Sequence, residues 1–145
     1  MAELIGIARK SASRAPMEEI SSAQVTRAGG LEGIYRGGVP RKRQVTVLSR
    51  ESWDAACSEH GSALPWTTRR ANLLVEGLAL ADTLGYRLRI GDVLLEVTEE
   101  TAPCQLMDRF HQGLRAALTP EWRGGVTCRV LSGGRVRLGD AAGFE

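Results

Sequence analysis

The sequence is short of several things, and each shortage removes a class of protein. Lysine is nearly absent: Lys10 and Lys42 stand beside 17 arginines, and 17 acidic residues bring the formal net charge to only +2. A balance so close to neutral gives no whole-protein field that would gather nucleic acid. Long apolar runs are missing too, none approaching the ~18 residues of a membrane span. The opening Met1-Ala2-Glu3-Leu4-Ile5-Gly6 has neither the basic lead nor the apolar stretch of a signal peptide, so a cytoplasmic location is expected. Cysteine is scarce and odd in number, at Cys57, Cys104 and Cys128, with no CxxC spacing. A disulfide framework is therefore not expected. His60 and His111 do not sit at zinc-ligand spacing with those cysteines. Neither a strand–GxGxxG–helix order nor a P-loop occurs.

What is present describes an ordinary globule. The chain has 145 residues, 43% of them hydrophobic and 25% charged, with a mean hydropathy of −0.16. That length predicts one domain over residues 1–145, large enough to build a core without staples. The 17 glycines are an excess that favours many turns. Strands are expected at Leu4 to Ala8, Ile20 to Thr26 and the β-branched run Gln44 to Leu48. Arg87-Leu88-Arg89-Ile90, Gly91-Asp92 and Val93-Leu94-Leu95-Glu96-Val97 read as a hairpin, with glycine supplying the positive φ of a tight turn. Val126 to Val130 and Arg135 to Leu138 alternate likewise.

Ser49 should cap a helix from Arg50 to about His60, whose Trp53, Ala56 and Cys57 form a buried stripe. A short helix is expected over Leu80 to Leu84, ending at Gly85. Six or seven strands with about three short helices predict a mainly β protein arranged as a barrel. Cys57, on the helix stripe, and Cys128, between Val126 and Val130, are expected to be core residues.

The third cysteine stands apart. Thr101-Ala102-Pro103-Cys104 opens a helical pattern in which Leu106, Phe110, Leu114 and Ala117 recur at i+4, i+4 and i+3. With Thr101 or Ala102 as cap and Pro103 in the first turn, Cys104 would face unpaired N–H groups and the positive end of the dipole, which favour a thiolate. A thiolate attacks sulfur or carbon and binds soft metals. Arg36, Arg41, Lys42, Arg43, Arg69 and Arg70 lie in loops beside glycines or strand ends, where guanidinium forks can hold an anion. A solvated surface charge is the simpler reading of any one of them.

Taken in order, several segments resemble the MOSC domain, named for the C-terminal part of molybdenum cofactor sulfurase. They are Gly30-Leu31-Glu32-Gly33, Arg43 to Leu48, Arg69-Arg70-Ala71-Asn72-Leu73-Leu74-Val75-Glu76-Gly77, Leu84-Gly85 through Thr98, Pro103-Cys104, Arg123-Gly124-Gly125-Val126, Gly133-Gly134 and Gly139-Asp140. The resemblance implies a MOSC-like β-barrel with a few short flanking helices and one functional cysteine, Cys104. That thiol would carry sulfur as a persulfide or ligate the molybdenum of molybdopterin, the molybdenum cofactor. By the same resemblance Arg43, Arg69, Arg70 and Asn72 match positions around the cofactor's phosphate and pterin. A pyridoxal-phosphate cysteine desulfurase would be the sulfur donor; a reductase role on N-hydroxylated compounds would instead need a separate electron-donor protein. A non-catalytic anion-binding module is the remaining alternative. No membrane partner is expected.

Overall fold

A computed structural model describes residues 2–12, 15–33 and 43–145. Its strands are β1 (Glu3–Arg9), β2 (Glu18–Glu19), β3 (Ser22–Thr26), β4 (Gly30–Leu31), β5 (Val45–Ser49), β6 (Leu73–Glu76), β7 (Arg87–Ile90), β8 (Val93–Glu100), β9 (Val126–Ser132), β10 (Gly134–Arg137) and β11 (Ala142–Phe144). Three short helices accompany them: α1 (Arg50–His60), α2 (Gln105–Phe110) and α3 (Leu114–Leu118). The protein is mainly β, as the alternating runs predict.

Eight strands form one sheet in the order β11-β7-β8-β9-β5-β6-β1-β2, and β10-β3-β4 form a second. The closed barrel expected from the sequence is not found. β1, next to the end strand β2, touches the chain entering β11 at an isolated bridge between Glu3 and Ala141, beside which the Leu4 N–H donates to the Asp140 carbonyl at 2.8 Å. The physical reason lies in the run Ile20 to Thr26, read as a single strand. It supplies a single strand, β3, which pairs with β10 and β4 in the small sheet instead of joining the large one, whose end strand β2 lies just before the run.

β5 and β6 are the parallel pair, joined through α1, and such strands are buried on both faces. Val45, Val47, Leu73 and Val75 face a core shared with Ala23, Val25, Leu31 and Val136 of the small sheet. Leu48 and Leu74 face the helices, with Trp53, Ala56, Cys57, Met107, Leu114 and Leu118. This continuous apolar character is why the run Gln44 to Leu48 was legible. Helix α1 starts where expected: the Ser49 hydroxyl accepts the Ser52 N–H at 3.3 Å. The β7–β8 hairpin also forms in the expected register, Ile90 opposite Val93.

The helix expected over Leu80 to Leu84 is absent. Asp82 takes a left-handed φ of 59°, and the Thr83 hydroxyl donates to the Leu80 carbonyl at 2.7 Å. A side chain closing its own turn outcompetes a helix too short to nucleate.

Candidate functional site

The site is assembled on a single 3-10 turn, Trp66–Arg69, which follows Pro65. Trp66 seats this turn on β1. Its ring lies against Gly6, where any Cβ would come within 2.8 Å of Cζ2, and its Nε1 donates to Glu19 Oε1 at 3.1 Å. From that seat Arg69 turns inward and is only 9% exposed. Its Nε donates to the Gly124 carbonyl at 3.1 Å and its Nη2 to the Thr101 carbonyl at 2.7 Å. One guanidinium thus stitches together the turn after Pro65, the chain leaving β8 and the chain entering β9.

The stitch explains Gly124. A Cβ there would strike the Thr101 carbonyl and stand 3.0 Å from Arg69 Nη2. At Gly125 the φ is 93°, and a Cβ would strike the Val47 carbonyl. The Gly125 carbonyl in turn accepts the Thr101 N–H at 2.9 Å. Among the described residues no carboxylate pairs with Arg69. Burial pushes its guanidinium below the usual arginine value, and a thiolate at Cys104 would work against that shift.

Cys104 is the exposed thiol of the three; Cys57 and Cys128 are buried, as expected. Burial pushes Cys128 up to about 12, so it is an inert thiol at neutral pH. The helix after Cys104 departs from expectation. Cys104 is its N-cap rather than a first-turn residue, and its side chain makes no capping bond. α2 is only six residues long. The chain breaks at Gly113, with φ 91°, and restarts as α3, whose Arg115 N–H donates to Asp108 Oδ1 at 3.0 Å. The expected apolar stripe is divided accordingly: Met107, Leu114, Ala117 and Leu118 are buried, while Leu106 and Phe110 are 37% and 43% exposed. So short a helix has little macrodipole to offer. Exposure, and the uncompensated Arg69 beside it, are what distinguish Cys104.

The other expected site residues have surroundings of their own. Asn72 is 6% exposed and its side chain is committed: Oδ1 accepts the Thr46 N–H and hydroxyl at 3.1 and 3.2 Å, and Nδ2 donates to the Ala8 carbonyl at 3.3 Å. It ties β1, β5 and β6 together. Arg43 is half-exposed and its Nε lies 3.6 Å from Glu99 Oε1. Arg70, with φ 68°, lines an open cleft with Thr67, Thr68, Phe110 and His111. Arg36, Arg41 and Lys42 lie outside the described residues. Two groups escaped the sequence reading: the hydroxyls of Thr101 and Thr127 are buried with no hydrogen-bond partner among the described residues. Thr101 was read only as a helix cap, and nothing in the alternation of Val126 to Val130 marks Thr127 as an orphan. Among the described residues no cluster of three His, Cys, Asp or Glu side chains gathers. Nor is any helix among them long and apolar enough to cross a membrane.

The profile of the MOSC domain matches residues 24–142. The chain belongs to the MOSC domain family, which is associated with the molybdenum cofactor. Solved structures share the fold at low identity. The YuaD protein of Bacillus subtilis superposes with a TM-score of 0.80 at 18% identity, over 98% of this chain and 94% of that one. YiiM of Geobacillus stearothermophilus gives 0.78 at 18% identity, over 100% and 75%, and YiiM of Escherichia coli 0.73 at 17%, over 100% and 70%. No curated protein sequence matches the chain.

The residues present fit the cofactor associated with the family at one point and not at others. An exposed thiol suits a soft metal, and Arg69 supplies positive charge at the same loop with the unpartnered Thr101 hydroxyl beside it. Asn72 does not fit, since its amide is already spent inside the sheet.

Proposed function

We propose that this chain handles sulfur or molybdenum cofactor through Cys104. The observation that carries the reading is that the one exposed thiol stands on a loop pinned by a buried arginine that lacks a carboxylate partner among the described residues. Bound molybdenum cofactor would supply a metal centre able to exchange oxygen or sulfur. Cys104 Sγ would hold it, Arg69 would keep the loop and the local positive charge in place, and the Thr101 hydroxyl is free to accept or donate one hydrogen bond.

As a sulfur carrier, the Cys104 thiolate attacks the outer sulfur of a donor persulfide. One S–S bond breaks as another forms, the donor leaves as its thiolate, and Cys104 becomes the persulfide with no net oxidation. A pyridoxal-phosphate cysteine desulfurase is the class of donor that presents such a group. If the cofactor instead serves reduction of N-hydroxylated compounds, a separate electron-donor protein completes the system.

The test is elemental mass spectrometry on wild type and Cys104→Ala purified from cells able to make the cofactor, together with intact-mass analysis for added sulfur. Metal or a persulfide mass present in wild type and lost in the variant is the expected result. Equal molybdenum and equal sulfane sulfur in both proteins would overturn the proposal.

A further inference from the structure

Helix α2 is held to the protein from one side only. Of its six residues, Gln105–Phe110, Met107 alone is buried. Leu106, Arg109 and Phe110 stand at i, i+3 and i+4, which places them on one outward face. Leu106 and Phe110 leave large apolar side chains in water there, and Arg109 is exposed between them. Side chains on a helix lean toward its N-terminus, so this face slopes toward Cys104, the exposed N-cap residue. Leu106 lies two residues further on, about 3 Å along the axis. A body large enough to cover Leu106 and Phe110 therefore covers the thiol as well.

The charges around the face define what kind of body fits. Arg109 and, on the following helix α3, Arg115 have no ion-pair partner among the described residues. Asp108 is the one acid of α2, and its Oδ1 already accepts the Arg115 N–H at 3.0 Å. An apolar centre with an unpaired cationic rim is complementary to an apolar groove with an acidic rim. A second copy of this chain does not meet that description. A two-fold contact uses the same patch on both subunits, and here it would press two cationic faces together.

We propose that the Leu106–Arg109–Phe110 face docks a persulfide-bearing donor protein, one with an apolar groove rimmed by acidic residues, so that its persulfide meets Cys104. Recognition is of the helix-in-groove kind, with Leu106 and Phe110 as the anchors. The inference rests on the sulfur-carrier reading given above and adds where the donor sits. In the transfer the Cys104 thiol gives up its proton and its sulfur bonds the donor's outer sulfur. The donor's S–S bond breaks and its departing thiolate takes up a proton, with no net oxidation. An exposed thiol is open to any persulfide; the face beside it supplies the choice.

The experiment follows the persulfide on Cys104 by intact mass, using the full chain and two donors. One is a purified pyridoxal-phosphate cysteine desulfurase turning over L-cysteine. The other is free cysteine persulfide, too small to span the helix face. With the desulfurase below saturation, Phe110→Ala and Arg109→Glu should each load roughly tenfold more slowly than wild type. With cysteine persulfide both variants should load at the wild-type rate, which also shows that they are folded. The Arg109→Glu deficit should shrink as salt rises from about 0.05 to 0.5 M, since screening weakens charge complementarity. Three results would overturn the docking face and leave the carrier reading standing: wild-type rates from the desulfurase in both variants, equal slowing with both donors, or loading of wild type by the small donor alone. Loading of wild type by neither donor would overturn the carrier reading, and the docking face with it.

Discussion

Two stretches of chain meet at the candidate site and are built on opposite lines. From Arg69 to Asn72 the side chains that turn inward are committed: Arg69 to two carbonyls, Asn72 to three strands. From Cys104 to His111 most side chains point outward, and Cys104, Leu106 and Phe110 are exposed. The first stretch is a frame and the second is a working surface laid on it. The lesson is that polar side chains in the stretch leading to a reactive group can be spent on holding the strands and loops that carry it. The frame residues act by fixing where the surface residues stand.

This division can be broken experimentally, and the largest effect should be in thiol chemistry. Iodoacetamide at pH 8 should label one cysteine of the folded protein, Cys104. Three should label after denaturation, because Cys57 is enclosed and Cys128 is pushed up to about 12 by burial. Peptide mass mapping checks it.

Next in size is Arg69→Ala. It leaves the Thr101 and Gly124 carbonyls without their donor at a cost of ~1–3 kcal/mol for each buried group, so urea unfolding should show a loss of about 3 kcal/mol. Gly124→Ala attacks the same stitch from the other side and should cost roughly 1–3 kcal/mol through overpacking. Asn72→Ala should cost about 2 kcal/mol by orphaning the Thr46 N–H. Cys104→Ala, by contrast, belongs to the surface and should change stability by less than about 0.5 kcal/mol. If Asn72→Ala abolished metal or sulfur binding while leaving stability intact, the frame and the surface would not be separate.

The smallest effect concerns the start of α1. Burial alone would raise the Glu51 carboxyl, but the backbone N–H groups of Glu51 and Gly77, the Ser49 hydroxyl and Arg50 together hold it below the usual value. A depressed carboxylate contributes stability above its unfolded pKa, and that contribution is lost as pH falls through the lower folded value. Glu51→Gln should therefore narrow its gap to wild type below about pH 4.5, by at most ~0.5 kcal/mol given the exposure of the group. Thermal melts across pH 3 to 7 measure it.

Much of the frame was legible in the sequence because it rests on short-range rules. Ser49 capping α1, the β7–β8 turn at Gly91 and the two-sided run of β5 each depend on a few neighbouring residues. Cys57 and Cys128 were legible as core from periodicity alone. The parts that were not legible depend on distant partners. The strand in the Ile20 to Thr26 run joins a second, smaller sheet because its partner is β10, more than a hundred residues away in sequence. The helix after Cys104 is cut at Gly113, where Asp108 finds the Arg115 N–H across the break. Cys104 was singled out by way of a helix dipole that six residues scarcely provide, yet its exposure still sets it apart. Arg69 and Arg70 were read as equals. Which one turns inward is decided by how Trp66 lies on Gly6, sixty residues away in sequence.

The guanidinium of Arg69 also has a consequence for how such a chain can change in length. It bonds carbonyls at positions 101 and 124 at once, so three loops share a single ruler. An insertion in any one of them would lift the carbonyl off its donor unless the other two moved with it. The turn between β6 and β7, from residue 77 to 86, carries no such cross-tie to the thiol. It is there that added or deleted residues should be absorbed without disturbing Cys104.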